Sequence, residues 1–248
     1  MRAEQGFSLL FSLILVWSAS LHGQQRFQER VDRAFGSNQV LVNGVQFSNQ
    51  YIRVDGDPYW RDYQHRDGAV CINDQWFGIN DQWSGHIWIR YNIYSSRVEM
   101  EYITAEGLRN QLMTVPEQMS AFIIDGYEFR RMRMGKEEAA FYQLVPVGST
   151  VCYVAWSMEM KGGGSSGLHF TPPRRKYWIA LGEEGTGDGS WITFHDRKSY
   201  LEAFPSERQK EFKRLLKQKK FSFKQATIPE MVEMIESTIH LYEAGGRQ

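Results

Sequence analysis

The chain has 248 residues, with 29 Lys+Arg against 29 Asp+Glu, and 42% of its residues are hydrophobic. A formal charge of zero excludes a dedicated nucleic-acid binder, which carries a basic excess or stripe. The hydrophobic content excludes an acidic disordered chain.

In chain order, the first feature is an apolar run of 13 residues, Phe7 to Ala19, preceded by Arg2. A spanning helix needs roughly 20 such residues, so the run fits the core of a signal peptide. The small residues that follow it predict cleavage after Gly23, which makes residues 1–23 a signal peptide and leaves about 225 residues for one sizeable core. The expected mature chain has no transmembrane span and is exported, periplasmic or outer-membrane-associated.

Arg26 to Phe35 spaces Phe27, Val31 and Phe35 as a short helix would. Turn dipeptides then recur at Asn43-Gly44, Asp55-Gly56, Asp67-Gly68, Asp125-Gly126 and Asp188-Gly189. Such pairs suit two-residue hairpin turns, whose central residues need positive φ. Between them lie period-two runs. Ile87, Ile89, Tyr91 and Ile93 alternate with Trp88, Arg90, Asn92 and Tyr94. After a turn at Ser95-Ser96, Val98, Met100 and Tyr102 alternate with Glu99 and Glu101. Thr150 to Met160 reads as another long strand, with Cys152, Val154, Trp156 and Met158 on one face. The expected fold is mainly β: a curved antiparallel sheet or sandwich, a meander of about ten strands between residues 39 and 195 within a β-rich domain of residues 24–195.

From Asp196 the pattern turns helical. Asp196 caps a short helix through Phe204, Ser206 with Gln209 reads as a capping box for a helix from Glu207 to about Lys219, and Thr227 with Glu230 repeats the device. The last helix carries Val232, Ile235, Ile239 and Tyr242 as a stripe that buries against something, most simply the sheet. Residues 196–248 are thus a helical C-terminal segment that packs on the sheet or extends from it.

Residues 72–78 read INDQWFG and residues 79–85 read INDQWSG. An odd repeat puts Ile72 and Ile79 on opposite faces of one strand, so at least one copy forms a bulge or a hairpin tip. A duplicated loop explains this without function. The functional reading is a ligand platform of Trp76 and Trp83 with Asn73, Asp74, Asn80 and Asp81, since indole faces stack on sugars and side-chain oxygens bind Ca²⁺.

Catalytic signals are thin. Gly163, Ser165 and Gly167 match G-x-S-x-G, but the stretch runs into Thr171-Pro172-Pro173 and not a helix, so it reads as a hairpin loop. His65, His86, His169, His195 and His240 make no zinc spacing, and neither a metal nor a cofactor is expected. Glu99 and Glu101 share a strand face, and a solvated face is the expected outcome; a carboxylate pair in a cleft would instead suit a hydrolase of glycans or peptides. Cys71 and Cys152 allow one disulfide in an oxidising compartment, against the plainer reading of buried thiols. Residues 207–224 hold eight Lys/Arg against two Glu. Of these, Arg208, Lys210, Lys213, Arg214, Lys217 and Lys220 are candidates for contact with an anionic partner.

A glycine turn, a strand of the form G-x-V-x-x-N, Arg90-Tyr91-Asn92-Ile93-Tyr94, an acidic-apolar strand and a Lys-rich helical end follow one another. This order resembles uncharacterised exported β-rich proteins of Bacteroidota-type bacteria. The resemblance implies an envelope location and brings no catalytic residues. The expectation is a non-catalytic exported envelope module that binds another envelope protein or a glycan and no nucleic acid.

Overall fold

The computed structural model describes residues 54–78, 87–103, 109–162, 167–181 and 190–245. The proposed signal peptide, the helix at 26–35 and the turns at Asn43-Gly44 and Asp188-Gly189 lie outside them. The strands are β1 (Val54–Asp55), β2 (Arg66–Ile72), β3 (Gln75–Gly78), β4 (Ile87–Asn92), β5 (Arg97–Ile103), β6 (Arg109–Met113) and β7 (Met119–Ile124). They continue with β8 (Tyr127–Met132), β9 (Ala140–Val147), β10 (Thr150–Ser157), β11 (Met160–Gly162), β12 (Leu168–Phe170), β13 (Arg174–Leu181) and β14 (Ser190–Phe194). Three helices follow: α1 (Arg197–Glu202), α2 (Gln209–Gln218) and α3 (Ile228–Gly245). The protein is mainly β, as its period-two patterning predicts.

Eleven strands form one sheet in the order β14-β13-β10-β9-β8-β7-β2-β4-β5-β6, with β3 also paired to β2. The small sheet β1-β12-β11 stands apart, and its β11–β12 hairpin brackets the Gly-Ser stretch.

Strand β2 is the pivot. Arg66 and Asp67 pair with β4, Ala69 to Ile72 pair with β3, and Gly68 to Ile72 pair with β7 on the other side. Asp67-Gly68 is therefore strand and not the turn its dipeptide predicts. Gly68 is required for room: a Cβ there would lie 2.4 Å from Ile89 Cγ1 and 2.7 Å from the Ile123 carbonyl oxygen. At this crossing the sheet folds over itself and carries β4–β6 across the face of β2, β7, β8 and β9. Ile87, Ile89, Tyr91, Val98, Met100 and Tyr102 meet Val70, Phe122, Phe129 and Phe141 in one core. Phe122 stacks on Phe129 with centroids 4.5 Å apart.

The same sheet face continues over β9, β10, β13 and β14, where the helices cover it. Val145, Cys152, Val154, Tyr177, Ile179, Ile192 and Phe194 pack with Tyr200, Phe212, Leu216, Met231, Met234 and Ile235. The C-terminal segment thus packs on the sheet. Trp156 touches both cores, and its indole N–H donates to the buried Gln143 Oε1 at 2.9 Å.

Two of the three capping devices form. Asp196 accepts from the Ser199 N–H at 2.8 Å, and the Thr227 N–H donates to Glu230 at 2.7 Å. Ser206 does not cap α2: its hydroxyl donates to Glu207, and the helix starts at Gln209 after a turn led by Pro205. In α3 the most deeply buried residues are Met231, Met234, Ile235 and Thr238, so the inward stripe sits about one residue from the predicted Val232, Ile235, Ile239 and Tyr242. Flexible methionines tolerate that rotation because they fill irregular gaps.

Candidate functional site

The outer face of β4–β6 is polar by alternation. Arg90 lies opposite Glu99 and Trp88 opposite Glu101, while Glu101 lies opposite Gln111 on β6. This face is not solvated as expected. Glu99 is 2% exposed and Glu101 7% exposed. The cover is the segment between β1 and β2. It is laid along β4 by hydrogen bonds from Trp60 N–H to the Tyr91 carbonyl at 2.8 Å and from Ile93 N–H to the Pro58 carbonyl at 2.8 Å. Trp60 turns inward to the core, and Tyr59 turns outward over the polar face.

Each carboxylate beneath this cover has cationic company. Glu99 accepts from the Tyr59 hydroxyl at 2.9 Å and from Arg90 Nε at 2.6 Å. Arg90 also donates to the Tyr63 carbonyl at 3.0 Å, and its guanidinium lies 4.2 Å from the centre of the Tyr59 ring. Glu101 accepts from Arg109 and stands 3.9 Å from His65 Nδ1. On its other side the His65 ring faces the Gln111 amide, with Nε2 to Nε2 3.3 Å apart. An amide N–H can only donate, so His65 Nε2 accepts and the ring proton sits on Nδ1, toward Glu101.

The electrostatics follow from burial. Removal from water pushes the Glu99 carboxyl above its ordinary range, against the pull of the Arg90 charge and of the hydrogen bonds from Arg90 and Tyr59. Burial lowers the His65 pKa to about 4; Arg90 and Arg109 add to that shift and Glu101 opposes it. The Tyr59 hydroxyl is pushed up by burial and by Glu99. At neutral pH the imidazole in this layer is therefore uncharged.

The layer fastens loop 57–66, and further bonds complete the fastening. Arg61, at φ 70°, pairs with Asp125 in the β7–β8 turn and stacks over Trp60 and Tyr127. Arg66 Nη2 reaches Asp62 Oδ2 at 2.6 Å. Held this way, the loop turns Tyr63 to solvent, 66% exposed.

The residues singled out from sequence are dispersed. Asn73 and Asp74 form the β2–β3 turn at φ 48° and 62°, so the first INDQW copy is a hairpin tip. Trp76 stands next to it across from Cys71, 41% exposed. Asn80, Asp81 and Trp83 fall outside the described residues, so the platform is seen only in its first half. Cys71 and Cys152 are free and buried. Three strands separate theirs, and the side chains lie on opposite sheet faces, about 19 Å of sheet apart, which rules out a bridge. Burial pushes the Cys152 thiol up to about 12. Among the described residues no group of three His, Cys, Asp or Glu could hold a metal. Lys210, Lys213, Arg214, Lys217 and Lys220 are exposed, but Arg208 turns inward and donates to the Tyr242 carbonyl at 2.8 Å.

No helix of the described residues is long and apolar enough to cross a membrane. No family model, no curated protein and no solved structure matches the chain.

Proposed function

We propose that the protein is a non-catalytic, exported envelope module that binds another envelope protein or a glycan, presenting loop 57–66 as part of its contact surface. The observation that carries this reading is the fate of the two carboxylates. A glycosidase-type pair must address a substrate across a cleft. Here Glu99 lies under Tyr59 and is bonded to Arg90, and Glu101 is bonded to Arg109. Side chains of a kind suited to catalysis are spent on holding a loop whose outward residues are Arg61, Tyr63 and Gln64. Tyr63 and Trp76 are large, stiff and amphipathic, the residue types that dominate binding hot spots. The export half of the reading rests on the apolar run Phe7 to Ala19 and on the resemblance to exported proteins.

The test is retention of the purified protein on isolated peptidoglycan and on immobilised envelope proteins, with Tyr63→Ala and Trp76→Ala variants beside it. Saturable retention that falls about tenfold or more in a variant supports the proposal. Retention on neither matrix, or retention that both variants leave unchanged, refutes it. Glycan or peptide hydrolysis that disappears in Glu101→Gln would favour the hydrolase instead.

A further inference from the structure

The chain is neutral as a whole, yet its cations are not evenly placed. On α2, Lys210, Lys213, Arg214 and Lys217 follow the i, i+3, i+4, i+7 spacing of a single helical face, and all four are exposed. Lys220 and Lys224, also exposed, extend the row into the connection to α3. The carboxylates around the row are engaged elsewhere: Glu207 accepts from the Ser206 hydroxyl and Glu230 from Thr227, Glu211 pairs with Arg208 at 3.3 Å and Glu233 with Lys219. Among the described residues the six cations of the row have no ion-pair partner.

The opposite side of α2 is fixed. Phe212 is fully buried and Leu216 is 3% exposed in the helical core. Arg208 ties the start of α2 to the end of α3 through the Leu241 and Tyr242 carbonyls. The row of cations is therefore displayed on a rigid support about 15 Å long, without rotational freedom to fold its charge away.

We infer that this face of α2 docks on an anionic lipid surface. Each Lys or Arg held near such a surface is attracted individually, and the attraction falls off within about one Debye length. Five of the six cations are lysines, compact point charges suited to a diffuse field, whereas bidentate phosphate recognition favours arginine. The outward face of α2 carries no aromatic residue on which a base could stack, which weighs against single-stranded nucleic acid. The apolar side of α2 is used in the core, so the contact is electrostatic and leaves the helix on the membrane surface. The inference depends on outward charge alone and stands independently of what loop 57–66 binds.

The experiment is co-sedimentation of the full chain with phosphatidylcholine vesicles containing about 30% phosphatidylglycerol, beside pure phosphatidylcholine vesicles, at about 50 mM and about 0.5 M salt. Binding to the anionic vesicles alone, lost at high salt, is expected. The combined variant Lys210→Gln, Lys213→Gln, Arg214→Gln, Lys217→Gln should bind on the order of a thousandfold more weakly. Its circular dichroism should be unchanged, because none of the four is buried. A control carrying Lys136→Gln and Lys198→Gln should bind like the parent, as should Tyr63→Ala. Equal binding to both vesicles, no binding to either, full binding by the fourfold variant, or tighter binding to duplex DNA than to the anionic vesicles would each overturn the inference.

Discussion

Replacing His65 with Gln should flatten the acid side of the stability profile. Gln can still accept from Gln111 and donate toward Glu101, so the layer keeps its hydrogen bonds while losing its titrating ring. In the native protein the His65 pKa lies at about 4, against 6.5 for an unperturbed ring. Between these values the unfolded chain binds the proton and the folded one does not. Stability therefore falls as pH drops through 6.5, and by pH 4 this one group costs about 3 kcal/mol. Glu99 acts in the opposite direction, because a carboxyl whose folded pKa is raised favours the fold as it takes up its proton. The difference between parent and variant cancels that contribution. Urea unfolding at intervals from pH 7 to pH 4 measures it: the stability gap between the two proteins should shift by about 3 kcal/mol in favour of the variant. Parallel profiles would mean that His65 titrates as though in water, and its burial beneath the loop would be wrong.

Three further expectations rest on other parts of the fold. Gly68→Ala places a methyl against the Ile123 carbonyl, a backbone atom that cannot move aside, and should destabilise by about 3 kcal/mol in urea; an unchanged midpoint would remove the glycine from the pivot. Phe212→Ala opens a cavity in the helical core and should cost about 3–5 kcal/mol, whereas a loss below about 1 kcal/mol would show loosely docked helices. Cys71 and Cys152 should react with a thiol reagent only on unfolding, and a reductant should leave the melting temperature where it is; a lower melting temperature under reductant would reveal a bridge.

The inward residues were the legible ones. Ile87, Ile89 and Tyr91 facing Val98, Met100 and Tyr102 follow from alternation and one turn at Ser95-Ser96, where Ser96 has φ 54°. That register also places Arg90 opposite Glu99, so half of the polar layer was readable from the hairpin. What covers it was not. Alternation assigns a side chain to a face but says nothing of what lies above that face, and Pro58 to His65 lacks both the period and the composition of a strand. The dipeptide rule succeeded at Asp125-Gly126, with φ 51° and 78°, and failed at Asp67-Gly68. Glycine serves turns and close crossings alike, and only the tertiary neighbours decide which. The Ser206–Gln209 box failed because Pro205 had already set the turn that enters α2.

Strand β9 gives Phe141 to one core and Val145 and Val147 to the other. Both cores lie end to end on one face of that strand, and Trp156 stands at the seam where they meet. Shortening the chain before Arg197 would leave an open greasy flank on four neighbouring strands, so the end of the polypeptide is a wall of the building and not an annex. A perturbation of the helices strikes first at the core they share with β9, β10, β13 and β14.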